Sequence, residues 1–283
     1  MKSVVLTNAR EFLDRAVPLL EDEARNNLIL GIARGMISDP ERHENVGLFV
    51  VEEDRLPVAA AMITPPFHLL VSEIADELAI RCLAQAVHDD RGSIPGVTGE
   101  RRTVKRFNRV WEDLTGVTAS LEMAQGVFAL ETVSRIPVVA GSCRRATMDD
   151  LDLVVGWMLA FASEVLPGGV EASDRFETIT RRRLGGLGGA GFWLWEIDGT
   201  SVAVSGQSGP TGSGIRINGV YTPPALRRNG YATALVAHQS QWLLENGYRF
   251  CFLFTDLANP TSNDICRRIG YHQVAESAMY KFS

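Results

Sequence analysis

Cysteine is scarce in this chain, and the few cysteines do not form a recognisable pattern. Cys82, Cys143, Cys251 and Cys266 are widely spaced, with no Cys-x-x-Cys pair and no histidine pair at ligand spacing. This spacing is untypical of a disulfide framework or of a zinc site. We therefore expect reduced thiols and no bound metal.

Long apolar runs and an excess of basic charge are also missing. No run approaches the roughly 18 apolar residues of a membrane-spanning helix, and Ser3–Leu6 after Met1-Lys2 is too short for a signal-peptide core. We therefore expect no membrane association and a cytoplasmic location. The formal net charge is −6, whereas nonspecific nucleic-acid binding depends on many Lys and Arg residues. Nucleic acid is therefore not an expected partner.

The sequence has ample material for a packed core. It is 283 residues long, with 46% hydrophobic and 22% charged residues, enough for one large domain or two ordinary ones. Apolar residues at helical spacing alternate along the chain with short strand patterns, which predicts an α/β fold with a mixed sheet. The predicted elements include helices over 11–37 (interrupted at Pro18) and 100–114, hairpins at 46–63 and around Asp198-Gly199, and a helix capped by Thr147.

The stretch from Val220 to Ala232 has the clearest chemistry. An apolar strand ends in Thr222-Pro223-Pro224, and Arg227-Arg228-Asn229-Gly230-Tyr231-Ala232 stands where a helix to Glu245 begins. The first N–H groups of a helix are unpaired, and its dipole favours an anion there. The pattern therefore predicts a phosphate site, with Arg227 and Arg228 as charged ligands.

This stretch resembles the acyl-CoA site of the GCN5-related N-acetyltransferases (GNAT), in which Arg or Gln is followed at fixed spacing by Gly and then Gly or Ala. Its Tyr-Thr-Pro-Pro and Gly-Tyr-Ala are most similar to the glycine N-acyltransferase-like branch. A second stretch, from Asn259 to Tyr271, is similar to the final motif of the family. The resemblance implies acetyl-CoA as co-substrate, bound by Val220, Tyr221, Thr222, Arg227, Arg228, Asn229, Gly230, Tyr231, Ala232, Thr233, Asn259, Ser262 and Asn263.

The resemblance also implies two acyltransferase-like lobes. Residues 143–283 would form the GNAT domain, 134–142 a linker, and 1–133 a degenerate first lobe. Phe49–Glu52 matches Trp193–Glu196, and Ile94–Val97 matches Ile217–Val220. The residues after Val97 lack Arg-x-x-Gly-x-Ala, so we expect one cofactor site per chain.

The catalytic residues are less well defined. Cys266 stands where the family usually has a tyrosine that protonates the departing thiolate, so it is either a general acid or a packing residue. Glu164, Glu196 and Asp256 are the candidates for a general base. His238 is interpreted as a structural or exposed residue.

The activity implied is transfer of an acyl group, most simply acetyl, to a primary amine of a small molecule or peptide by direct attack. The alternative is a coenzyme A-binding regulatory protein without turnover. The replaced tyrosine and the absence of Arg-x-x-Gly-x-Ala from the first lobe both motivate it. The sequence names neither the acceptor nor the oligomeric state.

Gly186–Gly191 satisfies the dinucleotide pattern Gly-x-Gly-x-x-Gly. However, helical Arg181–Arg183 precedes it and the strand Phe192–Trp195 follows, which is the reverse of the order that a dinucleotide site needs. We interpret the glycines as a flexible connection and the arginines as solvated.

The helix over 100–114 has a basic side. A phosphate-binding surface and a solvated face are both compatible with it, and the solvated face is favoured. The cations are Arg101, Arg102, Lys105, Arg106 and Arg109.

Overall fold

The computed structural model describes residues 1–40, 45–165 and 173–283, without the side chains of 173–175. These residues form two compact units. The first contains Met1–Val127, Thr255–Ala258 and Gln273–Ser283, and the second contains Phe128–Phe254 and Asn259–His272. Each unit is a mixed α/β structure, as the sequence predicts.

The first unit is built on strands in the order β1-β2-β3-β4-β5-β12. Its helix pair is broken at Pro18 as predicted, by a 3-10 turn at Val17–Leu19. The elements are β1 (Lys2–Leu6), α1 (Ala9–Ala16), α2 (Glu23–Ser38), β2 (Gly47–Glu53), β3 (Leu56–Ile63), β4 (Leu69–Val71), α3 (Glu77–Arg91), β5 (Gly96–Glu100), α4 (Arg101–Thr115), β6 (Ala119–Leu130, ending in the second unit) and β12 (His272–Phe282).

Strand β2 carries apolar side chains on both of its faces. Phe49 and Val51 pack in one core, which also contains α3 and α4 residues, while Leu48 and Val50 pack in another with α1 and α2 residues. Because successive side chains of a strand point to opposite faces, helices must cover both sides of this sheet. This explains why β2 is a continuous apolar run and not an alternating one.

The last strand of the chain belongs to the first unit. β12 pairs antiparallel with β5 from Ser277↔Glu100 to Lys281↔Gly96. Ala278 is 1% exposed within the core of the first unit, and the Phe282 ring lies 6.0 Å from that of Trp111. The compact units therefore do not coincide with the predicted lobes 1–133 and 143–283, because residues after His272 complete the first sheet.

The second unit has its strands in the order β11-β10-β9-β8-β7. Thr147 forms a capping box with Asp150 and leads through a 3-10 turn into α5, which confirms its predicted role. The elements are β7 (Ser142–Arg145), α5 (Leu151–Val165), α6 (Ser173–Leu184), β8 (Gly191–Ile197), β9 (Thr200–Ser208), β10 (Gly214–Tyr221), α7 (Tyr231–Glu245), β11 (Phe250–Asp256) and α8 (Pro260–Ile269).

The predicted linker is packed and not free in the second unit. Ile136 and Val139 lie against a core that contains Trp195 and Leu235. The Trp195 Nε1–H donates to the carbonyl of Ala140 at 3.0 Å. Residues 134–142 are therefore part of the second unit's structure.

The two units repeat a topology, but one of the two predicted sequence matches is wrong. Phe49–Glu52 in β2 and Trp193–Glu196 in β8 do occupy equivalent positions, since each strand forms a hairpin with the next. Ile94–Val97 leads into β5, which follows a helix, whereas Ile217–Val220 lies in β10, which precedes one. β4 and β10 are each the first strand of a parallel pair, β4 with β5 and β10 with β11, and a helix follows each of them. The counterpart of β10 is therefore β4.

The basic side of α4 is partly neutralised within the first unit. Arg101 pairs with Glu276 at 2.7 Å, and Arg106 pairs with Glu77 at 2.9 Å. Arg102, Lys105 and Arg109 are exposed. This arrangement is typical of a solvated helix face.

Among the described residues, no helix is both long and apolar enough to cross a membrane. The same part of the chain contains no group of three or more His, Cys, Asp or Glu side chains placed to hold a metal ion.

Candidate functional site

Strand β10 separates from β11 part-way along its length. The parallel ladder joins Gly214–Arg216 to Phe250–Phe252, and β10 then continues through Ile217–Tyr221 beyond the last pair. Each strand residue carries one N–H and one C=O. The end of the ladder thus leaves an edge of β10 that an extended ligand can pair with.

A β-bulge lies within this separated part of β10. Its pairing with β9 gains one residue between Asn218 and Tyr221, which are opposite Gly206 and Val204. Gly219 adopts φ 60° there, and a Cβ on it would lie 3.0 Å from the sulfur of Met158 in α5. Bulges re-aim the backbone beside functional sites. The Asn218-Gly219 dipeptide within a strand pattern was a sequence signal for this feature.

The strand is followed by a tight turn and an uncapped helix. The Asn229 amide donates to the Leu226 carbonyl at 3.1 Å, and Arg228 and Gly230 adopt φ 69° and 81°. None of the described side chains caps α7, and its first turn, Tyr231-Ala232-Thr233, has no acidic residue. The structure therefore brings the predicted residues Val220 to Thr233 into one continuous strand, turn and helix N-terminus. This is the geometry of an anion site.

The equivalent position in the first unit is closed. The three residues of β4 are all paired with β5, from Leu69↔Val97 to Val71↔Gly99. Asp76 caps α3 by accepting the Leu78 N–H at 2.7 Å, and Glu77 adds negative charge to the first turn. An anion would meet two carboxylates there. These contacts favour one cofactor site per chain.

Arg227 does not point freely into the site. Its Nη2 donates to both carboxylate oxygens of Glu164 at 2.7 and 2.8 Å, and its Nε donates to the Thr222 carbonyl at 2.9 Å. The sequence predicts Arg227 as a phosphate ligand and Glu164 as one of three candidate bases, but it does not pair them. The two residues are 63 positions apart, so no local pattern could have paired them.

Thr222 adds an observation that bears on ligand binding. Its Oγ1 is buried and has no hydrogen-bond partner among the described residues. A buried hydroxyl without a partner is costly. A ligand lying along β10 would remove this cost by bonding to it.

The α8 residues of the predicted site are engaged in local structure. Asn259 caps the helix by accepting the Ser262 N–H at 3.0 Å, with Pro260 at the first helical position, as predicted. Asn263 is buried, and Gly270 ends the helix with φ 113°. Helix α8 packs against α7, but the contacts of Asn259 do not require a ligand.

Cys266 lies in the core of the second unit. It is 6% exposed and packs with Phe128, Ile269 and Tyr271. Burial raises the pKa of its thiol to about 11, although a hydrogen bond with Ser262 acts in the opposite direction. These surroundings favour the packing role over the general-acid role.

We therefore expect Cys266→Ala to leave turnover unchanged and to lower the free energy of unfolding by about 1 kcal/mol, because a buried thiol is replaced by a smaller apolar group. Steady-state rates and denaturant unfolding of the same preparation would check this. A large loss of kcat at unchanged stability would restore Cys266 as the acid.

The remaining carboxylate candidates also have structural partners. Glu196 accepts a hydrogen bond from Arg144 at 2.8 Å and one from Ser201 at 3.2 Å. Arg144 in turn binds Asp150 and holds the pKa of that carboxyl below its usual value. Asp256 lies in the segment assigned to the first unit and accepts the Ala258 N–H at 2.8 Å. The bonds of Glu196 and Asp256 are explained without a catalytic role.

Arg183 is not solvated, contrary to the sequence-based interpretation. Its guanidinium lies 4.0 Å from the Phe192 ring centroid and donates to Asn218 Oδ1 at 2.7 Å. A Cβ on Gly206 would collide with the Arg183 Nη2, so a larger residue there would displace the guanidinium. Arg183 therefore lies across the sheet beside the β10 bulge, a placement that sequence analysis missed.

The glycine-rich stretch before β8 is a hydrogen-bonded turn. The Gly186 N–H donates to Arg183, that of Gly189 to Gly186, and that of Ala190 to Leu187. These N–H groups are directed at carbonyls of the same segment. The stretch is thus a connection, as expected, but an ordered one and not a nucleotide site.

One known family matches part of this chain. Residues 160–271 match the acetyltransferase (GNAT) family. The segment that matches the GNAT family (the GNAT segment) runs from the last turn of α5 to Tyr271 after α8. It includes the β10 bulge and the turn and helix start at 227–233, which we call the cradle. It thus includes every residue of the predicted cofactor site.

Solved structures extend the likeness in fold to the whole chain. A Drosophila protein has a TM-score of 0.69 at 14% identity, with 99% of this chain and 98% of that one covered. A GCN5-related N-acetyltransferase from Sphaerobacter thermophilus has a TM-score of 0.62 at 15% identity, with 98% and 94% covered. A tandem GNAT protein from the clavulanic acid biosynthesis pathway has a TM-score of 0.61 at 11% identity, with 100% and 98% covered. The predicted fold, a mixed α/β structure of two lobes, is confirmed.

A search of curated proteins found no sequence match.

Proposed function

We propose that this protein is an N-acetyltransferase. It transfers an acyl group, most simply acetyl, from acyl-CoA to a primary amine of a small molecule or peptide by direct attack. The strongest support is that a separated, bulged strand and an uncapped helix N-terminus lie next to each other in the GNAT segment. The finer resemblance to the glycine N-acyltransferase-like branch remains a prediction based on Tyr221–Pro224 and Gly230–Ala232.

The residues present suit coenzyme A. The N–H groups of Tyr231, Ala232 and Thr233 would hold the diphosphate, with the exposed Arg228 as a further cation. The free edge of β10, with Thr222 Oγ1 at its end, would hold the amides of the pantetheine arm. Acetyl-CoA, when bound, supplies the activated thioester. In our proposal the backbone amides at the Gly219 bulge stabilise negative charge that develops on its carbonyl oxygen.

The residues of α8 have different roles in this proposal. Asn259, Ser262 and Asn263 are retained as cofactor contacts because they match the final GNAT motif. Cys266 is not assigned as the acid, since it is buried in the core. Glu164 lies beside Arg227 at the phosphate end of the site. The pantetheine arm separates that end from the thioester, so Glu164 is not assigned as the base.

The alternative is a coenzyme A-binding regulatory protein that has lost turnover. The burial of Cys266, where the family has a tyrosine, favours it. Binding of acetyl-CoA is expected under both hypotheses, so binding alone does not separate them.

The decisive measurement is release of free coenzyme A from acetyl-CoA in the presence of a panel of primary amines, compared with the same reaction without amine. Amine-dependent release, with the acetylated amine detected by mass, is expected. Calorimetric binding of acetyl-CoA without transfer across amino acids, polyamines, aminoglycosides and peptides would support the regulatory alternative. Absence of binding would refute both.

A further inference from the structure

The first arginine of the phosphate pattern is held by a carboxylate. Arg227 Nη2 donates to both oxygens of Glu164, which lies in the last turn of α5. The guanidinium also lies 5.7 Å from the Tyr221 ring centroid, and its Nε is bonded to Thr222. Arg227 thus connects the end of β10 with the end of α5.

Glu164 and Thr222 occupy adjacent donors of the Arg227 guanidinium, because Nη2 donates to the carboxylate and Nε to the carbonyl. A phosphate group that binds this edge of the guanidinium has to displace the carboxylate from Nη2. Glu164 and the diphosphate of coenzyme A therefore compete for Arg227.

Helix α5 contacts both ends of the candidate site. Met158 lies against Gly219 at the bulge, and Glu164, six residues further along, holds Arg227. Six residues of α-helix span about 9 Å. The helix that packs on the bulge therefore also carries the carboxylate that holds Arg227.

We propose that Glu164 and Arg227 form a latch that the cofactor opens. This inference rests on the proposed function. The diphosphate displaces Glu164 from Arg227, so the last turn of α5 loses this ion pair when coenzyme A binds. Both side chains are 43% exposed, which limits the effect of the latch on affinity to a small factor.

The latch is tested by whether Glu164→Gln raises or lowers the affinity for acetyl-CoA. Glu164→Gln removes the competing charge, so we expect acetyl-CoA to bind roughly two- to fivefold more tightly by calorimetry. S-acetylpantetheine, which lacks the diphosphate, should bind with the same affinity to both forms. Arg227→Gln should weaken acetyl-CoA binding, and adding Glu164→Gln to it should have no further effect.

Glu177→Gln is the matched control. Glu177 also forms an exposed ion pair, with Arg181 at 2.8 Å. Glu177→Gln therefore removes the same charge without affecting Arg227. An equal gain from Glu177→Gln would mean that net charge is responsible and would overturn the latch. Unchanged or weaker binding by Glu164→Gln, beside a wild type that binds, would overturn the latch alone. A wild type that binds no acetyl-CoA would overturn the proposed function as well.

Discussion

Gly230→Val is expected to weaken acetyl-CoA binding by about 10- to 100-fold, the equivalent of one lost hydrogen bond to a charged group. Gly230 has φ 81°, a conformation that β-branched residues rarely adopt. Its Cβ would also lie 3.2 Å from Val139. The turn must change to relieve the strained φ and the contact with Val139. This change redirects the N–H groups at the start of α7. Calorimetric titration with acetyl-CoA measures the effect.

Gly116→Val separates loss of the site from general strain. Gly116 ends α4 in the first unit with φ 75° and ψ 2°, nearly the backbone of Gly230 at φ 81° and ψ 1°, and has no atom within 4 Å of its added Cβ. It should cost of order 1–3 kcal/mol in stability, as strain at Gly230 does, but leave acetyl-CoA affinity unchanged. Full affinity in Gly230→Val would refute the cradle as the phosphate site.

Removal of Gln273–Ser283 is expected to unfold the first unit, although these residues end the chain. β12 supplies the ladder along β5, and it contributes Ala278, Tyr280 and Phe282 to the core of the first unit. Without it, β5 loses its antiparallel partner and Trp111 loses the Phe282 ring. Circular dichroism and limited proteolysis with mass mapping should show cleavage concentrated within residues 1–127.

Point variants of β12 provide the control for this truncation. Ala278→Asp buries a charge without a partner and should cost about 3–5 kcal/mol. Lys281→Asp, on an exposed position of the same strand, should change stability by less than about 0.5 kcal/mol. Resistance of the truncated chain to proteolysis over 1–127 would show that the first unit does not need β12.

The two units differ at the strand edge and helix start where an anion could bind, and this difference suits a division of roles. The second unit has an open strand edge and an uncapped helix, whereas the first has a fully paired β4 and a helix capped by Asp76. Opening the first unit to an anion would require loss of the Asp76 cap as well as of strand pairing. The duplicated topology therefore carries one cofactor cradle in our proposal.

The sequence by itself determined the local features of this protein. Thr147, Asn259 with Pro260, and Gly270 act within one helical turn, so their roles as caps could be predicted from adjacent residues. The cradle could be predicted for the same reason, since strand, turn and helix N-terminus are contiguous from Val220 to Thr233. The hairpin at Asp198-Gly199 is likewise a property of two neighbouring residues.

Only the tertiary structure decided which distant residues meet. The place of β12 beside β5 depends on pairing between segments almost 180 residues apart, as Ser277↔Glu100 shows. The strand equivalent to β10 was misassigned because Ile94–Val97 and Ile217–Val220 are alike in letters but lie on opposite sides of their helices. The Glu164–Arg227 pair and the Arg183 side chain over Gly206 likewise join residues that no short pattern connects. Caps and turns depend on bonds between neighbours, whereas strand order and ion pairs depend on the packing of the whole unit.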